Sequence, residues 1–224
     1  MHQLVKSIIL IIFFTSLKLY AYIPSEGNVT ASYGPFLYRT NFAGSDQLAA
    51  SPYLGDFGFV TNGDLNSTGS LEIAMFHMNK IYYRNLNTRY LAEKTELLHI
   101  SLGYRRWLYE KFSVGLDFYS EHSIGQHQIL HSESNVDLDI DTSARDTTEN
   151  GLDFSLLGEI WARDEKSVTL DLRYSYSISN KENEKGDLFS LFLAYKFYVQ
   201  DKNNSTPSQP QVLPDQIVEP QQEK

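Results

Sequence analysis

The 224-residue chain contains no cysteine, which excludes a disulfide framework and a lipid-modified N-terminal Cys. Basic residues are few, 19 Lys and Arg against 28 Asp and Glu. They do not cluster as phosphate contacts require, which argues against nucleic acid as a partner. Beyond residue 21 no apolar run is long enough for a transmembrane helix. A glycine-rich phosphate loop and a Gly-x-Ser-x-Gly nucleophile setting are also missing.

One short apolar run is present at the start. Residues 1–21 carry Lys6, then Ile8 to Phe14, then the small residue Ala21. This is the pattern of a secretory signal peptide, with a core too short to span a bilayer. Its removal takes away Lys6 and Lys18 and no acid, so 17 basic residues face 28 acidic ones in the remainder. Residues 22–199 then form one domain. Residues 200–224 hold Pro207, Pro210, Pro214 and Pro220 among Gln, Asn, Ser and Glu. They lack a pattern that buries a core, which predicts a flexible periplasmic tail. Val212-Leu213 and Ile217-Val218 offer it a docking point for a periplasmic partner, with a plain spacer as the alternative.

The chain is rich in aromatics, 15 Tyr and 13 Phe, residues that suit strands and membrane interfaces. Over 187–199, Phe189, Leu191, Leu193, Tyr195 and Phe197 share one face if extended, since side chains alternate with period two. Leu98, Ile100, Leu102 and Tyr104 make a similar row, joined by a short link to Phe112, Val114, Leu116 and Phe118. Leu152 to Ile160 and Val168 to Tyr176 make a second hairpin. Strands are also predicted over 69–84, 55–62 and 29–39, the last interrupted by Pro35. In 69–84 the apolar residues change parity, which predicts a β-bulge near Met75 or Phe76. Links at 109–111 and 164–166 are short, whereas 120–150 and 179–186 are long and polar. The reading is all-β: an eight-stranded antiparallel up-and-down transmembrane β-barrel, with both termini at the short-turn end.

The same alternation fits a soluble barrel with an apolar interior. Long apolar faces, unequal loops and the aromatics Trp107, Tyr109, Phe112, Trp161, Phe197 and Tyr198 at one rim favour lipid outside. Arg106 falls on the lipid side near that rim, where its stem reaches headgroups. The opposite face carries Glu72, Asp117, Glu121, Asp153, Glu159 and Asp171 against Lys80, Arg84, Arg105, Arg163, Arg173 and Lys196, the composition of an ion-paired lumen. Eight strands leave an interior that side chains fill, which argues against a general diffusion pore.

Candidate chemistry is thin. His77, His99, His122, His127 and His131 match no zinc spacing. His122, His127 and His131 lie near Glu121, Glu133 and Asp137, either as a metal site or acid/base pair at the rim or as solvated loop residues. Asp137, Asp139 and Asp141 follow an Asp-x-Asp-x-Asp spacing, but Thr142 and Thr148 stand where a calcium loop needs Gly and Glu. A divalent-cation bridge to lipopolysaccharide and a solvated acidic loop are the two readings of that run. No catalytic, metal or cofactor residue is assigned.

The closing strand and this turn pattern resemble the small eight-stranded outer-membrane proteins of the OmpA, OmpX and OmpW kind. The resemblance implies an outer-membrane location, contact with membrane lipids and lipopolysaccharide, and insertion by the outer-membrane assembly machinery. In those families the closing aromatic usually ends the chain, whereas Phe197 is followed by the tail. The expected function is non-enzymatic: a barrel presenting acidic extracellular loops for surface interaction or envelope integrity. Its rivals are an outer-membrane enzyme acting on lipid or peptide at the extracellular rim, and a soluble periplasmic barrel for an apolar ligand.

Overall fold

The computed structural model describes residues 24–42, 53–86, 89–125, 128–132, 148–163, 166–178 and 186–200. The expected signal peptide, the tail beyond 200, His127, Glu133 and the Asp137–Asp141 run lie outside the described residues.

Eleven β segments are formed among the described residues: β1 (Val29–Gly34), β2 (Phe36–Phe42), β3 (Tyr53–Leu54), β4 (Phe57–Asn66), β5 (Gly69–Leu86), β6 (Arg89–Tyr109), β7 (Phe112–Ser123), β8 (Gln128–Ser132), β9 (Glu149–Arg163), β10 (Lys166–Ser177) and β11 (Gly186–Gln200). They compose eight barrel strands. β1 and β2 are one strand broken at Pro35, which has no N–H to give the ladder; β3 and β4 are one strand broken at Gly55 and Asp56. β8 continues β7 along β6. The antiparallel order β1-β4-β5-β6-β7-β9-β10-β11 closes where β11 pairs β1, with Tyr33 opposite Tyr195. Closure removes every edge at membrane level, as a wall without water requires.

The parity of side chains decides inside from outside. Leu116, Leu156 and Leu193 are 52%, 47% and 44% exposed on the outer wall, while Arg105, Glu72 and Asp153 are fully buried within. The apolar belt therefore faces outward and the charges inward, the reverse of a soluble barrel.

Several sequence expectations need correction. The β5–β6 register runs without a break from Gly69 opposite Arg106 to Leu86 opposite Arg89, so there is no bulge at Met75 or Phe76. Phe76 and Met78 simply point inward, onto an apolar patch of the lumen that also holds Phe36, Val60, Leu97 and Phe192. Trp107 and Tyr198 also turn inward and pack near Leu157, leaving the lower girdle to Tyr109, Phe112, Trp161 and Phe197. Arg163 is exposed rather than luminal. Register shifts within Trp107–Tyr109 and opposite Val168–Thr169 mark bulges at this rim. Finally, β7 continues to Ser123 and β8 occupies 128–132, so strand reaches into the segment expected as loop.

Candidate functional site

The lumen is built from the inward parity of β5, β6, β7, β9 and β10. At the end holding the short turns, Lys196 lies 4.6 Å over the ring of Trp107 and 3.1 Å from Glu159. Trp107 Nε1 donates to Ser70 at 3.2 Å. Above this plug, Glu72 receives Arg105 through two of its nitrogens and Arg173 Nη2 at 2.6 Å. Arg105 also donates to Ser113 and Ser155, at 3.0 and 2.9 Å. Arg173 Nη1 reaches Asp117 at 3.3 Å and Asp153 at 3.2 Å, while Nη2 reaches Asp171 at 3.2 Å. His99 sits higher, with Nε2 2.9 Å from Asp153 and Nδ1 3.1 Å from Glu121. Lys80 tops the column, 3.3 Å from Glu121 and 2.6 Å from Glu149.

Apart from Glu149, these residues are between 0% and 3% exposed save Trp107 at 5% and Glu159 at 7%. Arg is suited to the centre, because its planar fork holds several carboxylates at once. The column crosses the barrel from one end to the other and fills its polar half. Phe36, Phe76 and Phe192 fill the other half, with ring centroids 5.1 to 5.3 Å apart at Phe76. Such an interior is a packed core, not a pore.

The outer wall has three features. Where β1/β2 and β3/β4 both break, a cleft of about 630 Å³ opens between Tyr33, Pro35, Phe57, Phe59 and Met75. Beside it His77 lies 2.7 Å from Asp56 and 2.8 Å from Glu96, its ring stacked on Phe57. Among the described residues no group of three or more His, Asp and Glu is arranged to hold a metal ion. The third feature is a polar set at the upper end of β7. Ser120 Oγ lies 3.0 Å from His122 Nε2, and His122 Nδ1 lies 3.5 Å from Thr148 Oγ1.

The structure separates the residues that sequence reading grouped at the rim. Glu121 points into the lumen and His122 away from it, as neighbours on a strand must. His131 is exposed on β8. Sequence reasoning missed His99 as the link between two carboxylates, although its parity matches Ser101 and Arg105. It also passed over Ser120, whose i, i+2 spacing from His122 was the available signal.

No family model matches the sequence, and no curated protein matches it. Solved structures do. The outer membrane protein OprG from Pseudomonas aeruginosa is 10% identical, with a TM-score of 0.56 over 82% of this chain and 100% of that one. Ail, the attachment invasion locus protein of Yersinia pestis, solved with the heparin analogue sucrose octasulfate, is 12% identical with a TM-score of 0.43 over 77% of this chain and 98% of that one. AlkL in lipid bilayers gives 10% identity and 0.44 over 84% and 97%. The OprG likeness establishes the fold. The chain is a small eight-stranded barrel of the outer-membrane type, with its apolar belt turned to lipid.

Proposed function

We propose that this barrel is a non-conducting outer-membrane pedestal that holds a β-sheet above the cell surface for interaction there. The observation that carries the reading is the length of β5 and β6. β4 ends opposite His77, yet β5 and β6 stay paired nine residues further, to Leu86 and Arg89. At ~3.3 Å per residue this extends the hairpin by about 30 Å along the strands. β8 widens it to three strands by pairing Lys94 to Leu91. The ion-paired lumen below supports the reading, since a rigid base fixes where the sheet points.

The experiment replaces residues 82–93 by a two-residue Asn-Gly turn and expresses both forms in cells. Heat-modifiable gel migration reports whether each barrel is folded. The shortened form is expected to fold and to lose attachment of the cells to a surface or to each other; unchanged attachment overturns the proposal. In planar bilayers the intact protein is expected to give no stepped conductance.

The wall cleft favours a second reading, exchange of a small apolar molecule between lipid and the aromatic half of the lumen. Gly58 lies between the two, where an added Cβ would come within 2.8 Å of the Phe192 and Phe76 rings. Bulky substitution there is expected to block uptake of an apolar dye by vesicles holding the protein, and unchanged uptake removes this reading.

A further inference from the structure

Leu116, Phe118, Ser120 and His122 follow one another on the outward side of β7. The first two are 52% and 56% exposed and belong to the apolar belt. A barrel strand crosses the bilayer core in about ten residues. Counted from Phe112 at the lower girdle, the crossing ends near Glu121. Ser120 and His122 therefore stand at the upper boundary of the acyl layer, the depth at which the ester bonds of membrane lipids lie.

The hydroxyls of Ser120 and Thr148 flank the two ring nitrogens of His122. If His122 carries its proton on Nδ1, it donates to Thr148 at 3.5 Å, and Nε2 is free to accept from the Ser120 hydroxyl at 3.0 Å. The other tautomer makes the same two contacts with the directions reversed, and the Nδ1–H form is the one that leaves Nε2 a base toward Ser120. A hydroxyl, a base and a group that fixes the base form the arrangement that activates a serine for acyl transfer. Asn150 is the residue opposite Ser120 on β9 and shares its outward parity. Opposed side chains on adjacent strands lie about 4.5–5.5 Å apart at Cβ, which brings an amide N–H donor beside a carbonyl held at Ser120.

We propose that Ser120, His122 and Thr148 form an acyl-ester hydrolase site on the outer wall, acting on an ester-linked acyl chain of a membrane lipid. The chain lies along Phe118 and Leu116, and its carbonyl reaches Ser120. Ser120 Oγ attacks the carbonyl carbon as its proton passes to His122 Nε2. The ester C–O bond then breaks, and the departing alcohol takes that proton from His122. Water, deprotonated by His122, attacks the acyl-serine. The serine–acyl bond breaks, Ser120 recovers its proton, and a fatty acid leaves. Asn150 donates to the carbonyl oxygen while it is negative. Thr148 is a positioning residue. Its hydroxyl is neutral and supports the transient imidazolium less than a carboxylate does, so turnover is slow. This site goes beyond the pedestal reading and is independent of it, because it uses neither the lumen nor residues 82–93.

The test uses the full chain refolded in diacyl phosphatidylethanolamine vesicles, with fatty acid release measured by mass spectrometry and a fluorophosphonate as covalent probe. The probe is expected to modify Ser120, and Ser120→Ala abolishes both signals. His122→Ala lowers both by ~100-fold or more, as loss of a general base does. Thr148→Asp raises release by at least ~10-fold, because a carboxylate orienting a catalytic His is worth about 10⁴ where it has been removed. All variants point outward and keep heat-modifiable migration. Equal labelling and release by the intact protein and Ser120→Ala overturn the proposal. So does labelling of Ser120 that Thr148→Asp and His122→Ala leave unchanged, since the serine would then react without its base.

Discussion

The hydroxyl of Tyr38 stands in for a missing strand at Asn79: it accepts from the Asn79 N–H at 3.1 Å and donates to the Asn79 carbonyl. β4 ends two residues short of that level, so the β5 main chain would otherwise lose its neighbour there. Tyr38 is itself 3% exposed, wedged between Phe36 and Tyr53 with ring centroids 5.6 and 6.0 Å away. The contact joins the lumen's apolar half to the root of the projecting hairpin.

Tyr38→Phe keeps the ring and removes the hydroxyl. Two main-chain groups at Asn79 then lose their partner, at a cost of about 1–3 kcal/mol. The urea midpoint of the barrel in vesicles is expected to fall by that equivalent, and hydrogen exchange at the Asn79 amide to accelerate. An unchanged Asn79 exchange rate would show that the hydroxyl does not hold the hairpin root.

The two tryptophans report the sidedness of the wall directly. Trp107 is 5% exposed inside the barrel and Trp161 is 39% exposed outside it. In vesicles of brominated lipid, the Trp107→Phe variant, which keeps Trp161, is expected to be strongly quenched. Trp161→Phe, which keeps Trp107, is expected to be quenched little. The opposite ranking would turn the barrel inside out.

Much of this architecture was legible because lipid and lumen impose opposite demands on alternate residues. In β10, Val168, Leu170, Leu172, Tyr174 and Tyr176 read outward, and Thr169, Asp171 and Arg173 read inward, as the structure has them. The pattern failed at Phe76 and Met78 because a two-sided rule assumes one apolar side, whereas half of this lumen is apolar too. Strict parity from Lys196 already placed Tyr198 inside, and parity from Arg105 placed Trp107 inside. The expectation of an aromatic girdle overrode both. The convergence of Glu72, Asp117, Asp153 and Asp171 on Arg173 was not readable at all, since it brings together residues as far as 101 positions apart.

Arg173 is the residue this convergence depends on. Its nitrogens serve Glu72, Asp117, Asp153 and Asp171, and it is 1% exposed. Arg173→Met nearly keeps the volume and removes the charge, leaving Asp117 buried without its cation and Glu72, Asp153 and Asp171 each with one cation fewer. Breaking a buried ion pair from one side costs about 3–5 kcal/mol. The variant is expected to lose at least that in urea unfolding, or to fail to reach the heat-modifiable form. Asp171→Asn removes one acid from a cation that keeps three, and is expected to cost less. Equal losses for the two variants would mean that Arg105 and His99 hold the acids without Arg173.

Two glycines separate close approach from lipid contact. An added Cβ at Gly103 would lie 2.1 Å from Asp117 Oδ1 and 2.2 Å from the Leu116 carbonyl oxygen. The side chain of Asp117 can rotate, but the Leu116 oxygen belongs to the β6–β7 ladder and cannot move without opening it. Gly63 has nothing within 4 Å of the same position. Gly103→Ala is therefore expected to destabilise by about 1–3 kcal/mol, the usual range for overpacking, and to weaken the Asp117–Arg173 contact with it. Gly63→Ala should be neutral or slightly stabilising, because it restricts the unfolded chain without meeting a neighbour. Urea midpoints in vesicles measure both. If Gly103→Ala were as well tolerated as Gly63→Ala, the β6 and β7 backbones would have to stand further apart, and the carboxylate of Asp117 would no longer be pressed toward Arg173.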